Sequence, residues 1–126
     1  MSGSVIEIGG ARAYLCQPDG PSIASDRDAA DIVGETFGAG VRLVVVPLER
    51  FTPGFLDLKT RTAGEVLQKF VTYGRQVVVL GDVSPAVAAS RALADFVRES
   101  NRGRSVWFAR DLDELAARLG QAARPH

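Results

Sequence analysis

Two short and almost wholly apolar runs constrain the fold of this chain more than any other feature. Residues 41–47 and 76–80 are rich in valine, and each run is too short for a helix of ordinary length. A strand that is hydrophobic along its whole length is typical of a parallel sheet covered by helices on both faces. The two runs therefore predict central strands of an α/β domain.

Strands and helices alternate along the rest of the chain. We predict further strands at residues 5–8, 11–16 and 105–109, with the glycines at 9 and 10 supplying a hairpin turn. Capping residues and helical spacing predict four helices, from Ser25 to about 38–40, from Thr62 to Gly74, from Ser84 to about 101–103 and from Asp111 to Gly120. The order ββαβαβαβα predicts a single-layer mixed five-stranded sheet, in which an antiparallel hairpin precedes parallel strands joined by right-handed crossovers.

Length and charge narrow the class of protein. A chain of 126 residues suits one domain spanning residues 1–126, and we expect residues 1–3 and 121–126 to be flexible. Lysine plus arginine and aspartate plus glutamate each number 15, so no global charge attracts nucleic acid or an anionic membrane. No apolar run approaches the ~20 residues that span a bilayer, and the first residues lack the pattern of a secretory signal. We therefore expect a cytoplasmic protein that binds neither nucleic acid nor membrane.

Few side chains are suited to catalysis. The single histidine, His126, is the last residue, and the single cysteine, Cys16, ends a predicted strand. Serine-hydrolase triads, Cys–His pairs and histidine-based metal sites all need an imidazole held in a pocket. We therefore expect no metal and no cofactor, and we interpret Cys16 as a small buried hydrophobe. The sequence favours a protein that is not an enzyme.

Polar side chains cluster after the third and fourth predicted strands. In open parallel sheets, ligands bind outside the carboxyl ends of the strands, where helix N-termini present free N–H groups. The candidate ligand or switch site comprises Asp57, Lys59, Thr60, Thr62, Glu65 and Asp82, and Glu49, Arg50 and Arg61 belong to the same cluster. We expect the segment 52–65 to face Asp82 across neighbouring strands. The structural alternative is that these residues cap helices, close turns or lie solvated at the surface.

A second polar group lies near the end of the third predicted helix. It consists of Arg98, Asn101, Arg102 and Arg104. Cations complement a helix C-terminus, so structure alone accounts for them. The functional alternative is a patch that binds an acidic partner or a phosphate. An exposed Trp107 in the following strand would add a partner or ligand face.

Several blocks of the chain resemble known families. Residues 52–60 and 63–70, with Gly81-Asp82 and residues 96–103, resemble an uncharacterised bacterial family, domain of unknown function 4180. That resemblance covers nearly the whole chain and implies no activity. More weakly, the element order is similar to that of STAS domains, the sulfate-transporter and anti-sigma-factor-antagonist modules. This second resemblance implies a regulatory module that docks partners and is phosphorylated at a Ser or Thr, here Thr60 or Thr62.

Two classes of function fit these observations. The first is a non-enzymatic, STAS-like regulatory or protein-interaction module, which could also pair with a second copy through the edge of the hairpin. The second is a small-molecule-binding protein or small enzyme with a pocket at the carboxyl ends of the third and fourth strands. In that case Asp57, Lys59, Glu65 and Asp82 would act as acid, base or anchoring groups for a small anionic ligand.

Overall fold

The computed structural model describes residues 3–122, and this range contains one five-stranded sheet. Its strands lie side by side in chain order: β1 (Gly3–Ile8), β2 (Ala11–Cys16), β3 (Leu43–Pro47), β4 (Gln76–Leu80) and β5 (Val106–Ala109). β1 is antiparallel to β2, and every later pair is parallel. The predicted α/β class and mixed five-stranded sheet are therefore confirmed.

Within the same range, five α-helices accompany the sheet, one more than predicted. They are α1 (Asp26–Ala39), α2 (Thr62–Thr72), α3 (Ser84–Ala89), α4 (Arg91–Arg102) and α5 (Leu112–Ala122). The expected single helix after β4 is wrong because Ser90 is extended, with φ −142° and ψ 112°. Its hydroxyl accepts a hydrogen bond from the backbone N–H of Leu93 at 3.2 Å and so starts a new helix. Three short 3₁₀ turns connect β3 to α2.

Three helices cover one face of the sheet. Parallel strands that follow one another in a single direction, joined by right-handed crossovers, place all their connecting helices on the same face. α1, α2 and α4 accordingly pack on the face that presents Val44 and Val46, whereas Leu43 and Val45 point to the other face. This alternation makes every residue of β3 buried, as its continuous hydrophobic run predicts.

The opposite face of the sheet is covered by α5. Leu115 and Leu119 of this helix belong to a second core with side chains from β2, β3, β4 and β5. The helix also contacts β1, and a Cβ atom placed on Gly9 in the β1–β2 turn would lie 2.7 Å from the carbonyl oxygen of Ala116. Thus α5 connects the last strand to the first hairpin across the sheet.

The helix caps agree with the sequence at some positions and not at others. The N-cap of α1 is confirmed, since the Asp28 N–H donates to the Ser25 hydroxyl at 3.3 Å. Thr62 and Glu65 have the spacing of a capping box, which predicts Thr62 as the N-cap of α2. This prediction is wrong, because Thr62 is the first residue of α2 and Arg61 occupies the cap without a side-chain bond. The Thr62 N–H instead donates to the hydroxyl of Thr60 at 3.3 Å, in the turn before the helix.

The two ends of the chain are only partly described. Gly3 pairs with Cys16 in the sheet, and residues 121 and 122 lie in α5, although these positions were expected to be flexible. The remainder of the predicted flexible ends, at 1–2 and 123–126, lies outside the described residues.

Candidate functional site

The predicted segment between β3 and α2 forms a self-contained loop on the core. Phe51 and Phe55 stack with their ring centroids 3.8 Å apart, and both are buried. The Asp57 carboxylate accepts a hydrogen bond from the Lys59 N–H at 3.1 Å. The Thr60 hydroxyl donates to the carbonyl oxygens of Gly54 and Asp57, at 3.1 and 2.8 Å. These contacts close turns within the segment.

The other candidates of this segment lie at the surface. Lys59 and Glu65 are exposed, and Thr62 is half-buried at the start of α2. Four cavities are lined by residues outside the segment 52–65. Two of them lie at opposite ends of the parallel strands, one lies beside Arg50 and one beside Asp82. None of these four cavities is therefore formed by the loop.

Asp82 lies at the same edge of the sheet but in a different environment. β3 and β4 are neighbours, with Pro47 paired to Leu80, so the expected adjacency is present. The carboxylate of Asp82 accepts a hydrogen bond from the Ser84 N–H at 2.9 Å. Hydrogen bonds from the side chain and backbone of Ser84 hold the pKa of Asp82 below its ordinary value. Within the described chain, no hydrogen bond or ion pair joins Asp82 to the segment 52–65.

A cavity of about 590 Å³ opens where the four parallel strands end, and we call it the carboxyl-edge cavity. Its walls come from the ends of β2, β3 and β4, from the residue after β5 and from the first residues of α5. They are Leu15, Cys16, Pro18, Pro47, Glu49, Leu80, Gly81, Arg110, Asp111, Leu112 and Asp113. The volume lies within the roughly 300–1,000 Å³ usual for small-molecule sites. Its position is the one at which open parallel sheets bind ligands.

Gly81 shapes the wall of the carboxyl-edge cavity beside β4. Its φ is 156°, and a Cβ atom there would lie 2.7 Å from the Cβ of Leu48. The chain leaving β4 therefore passes the turn after β3 at a distance that only glycine permits.

The lining combines apolar walls with an acidic rim. Glu49, Asp111 and Asp113 contribute carboxylates, and Arg110 contributes the single guanidinium of the lining. Arg110 lies near Asp111 and Glu114, with N···O distances of 3.6 and 4.0 Å. Asp111 also caps α5 by accepting from the Glu114 N–H at 2.8 Å. The lining therefore holds three carboxylates and one guanidinium that is already paired.

Cys16 is the only thiol of the chain and lies at the inner wall of this cavity. The residue is fully buried, and burial raises the pKa of its thiol to about 12. The Arg50 guanidinium opposes this shift, and the Glu35 carboxylate adds to it. A thiol held in its neutral form is a poor nucleophile, so Cys16 is not activated for catalysis.

The predicted arginine patch separates into individual contacts. Arg98 pairs with Asp95 at 2.6 Å and Arg102 with Glu99 at 3.3 Å, in exposed pairs along α4. The side-chain oxygen of Asn101 accepts a hydrogen bond from the Phe108 N–H at 2.7 Å and so connects α4 to β5. Arg104 is exposed in the connection to β5. Asn101 thus has a structural role, whereas the arginines remain at the surface.

The sequence-based prediction missed most of the cavity because it rested on the ends of β3 and β4 only. Residues after β2 and β5 were left out, although these strands are also parallel members of the sheet. The signal that would have found them is the run Arg110-Asp111-Leu112-Asp113, which follows the last strand and starts a helix. Collecting the residues at every parallel strand end gives the cavity.

Within residues 3–122, no group of three or more His, Cys, Asp or Glu side chains is arranged to hold a metal ion. None of the helices in the same range is both long and apolar enough to cross a bilayer.

Comparison with known proteins identifies the family of this chain. Searches of curated proteins and of solved structures found no significant similarity. A family model described as "Domain of unknown function (DUF4180)" matches residues 8–119, a range that includes every strand end lining the carboxyl-edge cavity. The match confirms the family resemblance predicted from residues 52–60, 63–70, 81–82 and 96–103. The chain belongs to this family of domains of unknown function.

Proposed function

We propose that this domain binds a small molecule in the carboxyl-edge cavity, and that the ligand has an apolar body and a cationic group such as an amine. The observation that carries the proposal is a cavity of about 590 Å³ at the ends of four parallel strands. Leu15, Leu80 and Leu112 provide apolar surface for the ligand body. Because the thiol at the inner wall is not activated, binding is the function that the geometry favours.

The charge of the rim argues for the cationic group. Glu49 and Asp113 make no ion pair within the described residues, and both line the cavity. A ligand ammonium would compensate these two carboxylates at the edge of an apolar pocket. The small anionic ligand predicted from the sequence fits this cavity less well, since like charges repel.

A thermal-shift screen tests the proposal. Amines with apolar bodies should stabilise the full chain in a saturable way, and their neutral and acidic analogues should not. Glu49→Gln and Asp113→Asn should each weaken the best amine by about tenfold, the loss expected for one charge-assisted hydrogen bond. Glu65→Gln is the matched control, because it makes the same chemical change on α2 outside the cavity.

Two results would contradict the proposal. One is a screen in which no amine stabilises the protein. The other is a hit that Glu49→Gln and Asp113→Asn leave unchanged. A hit weakened by Glu65→Gln instead would move the binding site to the candidate residues of the segment 52–65.

A regulatory role at Thr60 is a second candidate function, supported by a different observation. The exposed Thr60 hydroxyl donates to two carbonyl oxygens, so a phosphate on it would remove both bonds and add about two negative charges beside Lys59 and Arg61. The loop before α2 would then rearrange. Faster amide exchange in residues 53–61 of Thr60→Glu, with Thr60→Ser unchanged, is the expected result. Equal exchange in both variants would remove this candidate.

A further inference from the structure

A second cavity, of about 520 Å³, lies at the opposite edge of the sheet and is independent of the proposed function. It is formed by the start of β4, the connection from α4 to β5 and the last turns of α5. We call it the arginine cavity; it is lined by Gln76, Arg102, Gly103, Arg104, Trp107, Arg118, Leu119 and Gln121. Among the described residues, this lining contains three guanidinium groups and no carboxylate.

The three arginines differ in how far their charge is already compensated. Arg102 pairs with Glu99 at 3.3 Å, but both side chains are well exposed and such pairs are weak in water. Arg104 makes no ion pair with any residue of the described chain. Arg118 likewise has no carboxylate within ion-pair distance among these residues. The cavity therefore holds positive charge in excess.

Arg118 is held in place before any ligand arrives. Its guanidinium carbon lies 3.8 Å from the centre of the Trp107 ring, a cation–π arrangement. It also donates a hydrogen bond to the carbonyl oxygen of Asn101. The Trp107 indole is fixed in turn by donating to the carbonyl oxygen of Gly103 at 2.8 Å. One cation of the cavity is thus positioned by two elements, β5 and the end of α4.

The surroundings of Arg118 also favour an added negative charge. Burial lowers the pKa of its guanidinium, and the Glu114 carboxylate one turn earlier acts in the opposite direction. Desolvating a cation is unfavourable unless an anion or hydrogen-bond acceptors compensate it. The Asn101 carbonyl oxygen supplies part of this compensation, and a bound anion would add to it on the cavity side.

We infer that the arginine cavity binds the phosphate group of a small molecule. Two or three planar guanidinium groups around one concave space match the several oxygens and the double charge of a phosphate better than a single carboxylate. A small molecule is favoured over a nucleic acid because the whole chain carries equal numbers of basic and acidic residues. A nucleic-acid site would need a broader basic surface than this cavity.

Trp107 is the only tryptophan of the chain, so its fluorescence reports on this cavity alone. The full chain is titrated with inorganic phosphate and with pyrophosphate at constant ionic strength, with chloride and acetate as reference anions. We expect a saturable change in tryptophan emission, and a shift of the indole N–H resonance, with the two phosphates only. Arg104→Gln should weaken the apparent affinity by about tenfold.

Arg98→Gln is the matched control, since Arg98 is an exposed arginine of α4 outside the cavity. It should leave the titration unchanged, as should Glu49→Gln in the carboxyl-edge cavity. Arg118→Lys keeps the charge but removes the planar fork, and it should also weaken binding.

Three outcomes would overturn the inference. The first is a response to phosphate no larger than that to chloride. The second is an equal loss of affinity in Arg104→Gln and Arg98→Gln. The third is tight binding of a single-stranded oligonucleotide without any saturable response to phosphate or pyrophosphate, which would make the arginines part of a nucleic-acid surface.

Discussion

At the scale of single residues, burial decides the chemistry of Cys16. The side chain is fully enclosed between the sheet and the helices that cover it, although it also borders the carboxyl-edge cavity. Its pKa of about 12 means that the folded protein keeps a proton which the unfolded chain releases at lower pH. The sequence-based interpretation of Cys16 as a small buried hydrophobe agrees with this environment.

Because of Cys16, the stability of the protein should therefore decrease at alkaline pH. Because the pKa of Cys16 is raised in the folded state, the neutral thiol makes its full contribution to the free energy of unfolding below the ordinary thiol pKa, near pH 8.5. This contribution decreases by about 1.4 kcal/mol per pH unit above that range and is lost as the pH reaches about 12. Urea unfolding at several pH values should show a steeper decline for the unaltered protein than for Cys16→Ala. Equal slopes would contradict the assignment.

Gly9 and Gly10 in the β1–β2 turn both have positive φ, 56° and 83°. Substituting each of them tests the contact between this turn and α5. A Cβ on Gly9 would meet α5, with the Ala116 carbonyl oxygen at 2.7 Å, whereas a Cβ on Gly10 meets nothing within 4 Å. Gly10→Ala should cost about 1 kcal/mol from backbone conformation alone. Gly9→Ala should cost a further 1–3 kcal/mol, roughly, from overlap with the helix. Denaturant unfolding measures both; equal losses would mean that the turn is free of α5.

Arg50 shows what local sequence cannot reveal about a charged residue. Its position in the sequence suggests a polar cluster after β3, yet only 2% of its surface is exposed. The guanidinium donates to the carbonyl oxygens of Pro21 and Gln17, at 2.8 and 2.9 Å, and so holds the loop between β2 and α1. Those partners are 29 and 33 residues away in sequence, so their proximity follows only from the fold.

At the scale of elements, β3 and β4 were predictable because their valine-rich runs are typical of strands buried on both faces. The break between α3 and α4 was not, since the residues around it, Ala88-Ala89 and Arg91-Ala92, are all good helix formers. A serine within such a run is compatible with a helix interior or with a cap. Only packing decides which role it takes.

Ser90 should accordingly stabilise the start of α4 as an N-cap. Ser90→Ala removes the acceptor of the Leu93 N–H and should cost about 1 kcal/mol. Ser100→Ala, in the same helix but away from its N-terminus, should be neutral or slightly stabilising because alanine favours helix. Thermal unfolding of the two variants gives the comparison. A loss in Ser100→Ala equal to that in Ser90→Ala would exclude the cap.

At the scale of the whole molecule, the two cavities lie near the two ends of α5 and have opposite charge. The carboxyl-edge cavity includes the first residues of this helix, and the arginine cavity includes Arg118, Leu119 and Gln121 near its end. The equal totals of acidic and basic residues conceal this separation. The composition therefore shows that the chain has no net charge, but it does not show that one cavity is acidic and the other basic.

The position of α5 could not be derived from the sequence. Its leucine stripe predicts one apolar face, and the strand order leaves one face of the sheet for it. Its contact with the β1–β2 turn joins Gly9 to Ala116, residues far apart in the sequence, and no local pattern specifies such a contact. The predicted site was limited to the ends of β3 and β4 because the residues that follow β2 and β5 were not included, whereas the cavity also requires the start of α5.

Leu115 should be essential to the integrity of the complete domain. Leu115 belongs to α5, and its side chain is fully buried between this helix and the sheet. Leu115→Ala should therefore lower the free energy of unfolding by about 3 kcal/mol. Leu112→Ala, at an exposed leucine of the same helix, should cost less than about 1 kcal/mol. In hydrogen exchange, Leu115→Ala should accelerate amides of β1 as well as those of α5. Acceleration limited to α5 would show that the helix detaches locally.

The contact between α5 and the first hairpin has a consequence for biosynthesis. Ala13, Val45 and Val78 point to the face that α5 covers, and this helix is the last of the described elements to be translated. A nascent chain can form its sheet and three of its crossover helices while that apolar strip still faces solvent or a chaperone. The core on this face of the sheet can therefore form only after the ribosome has released Leu115 and Leu119.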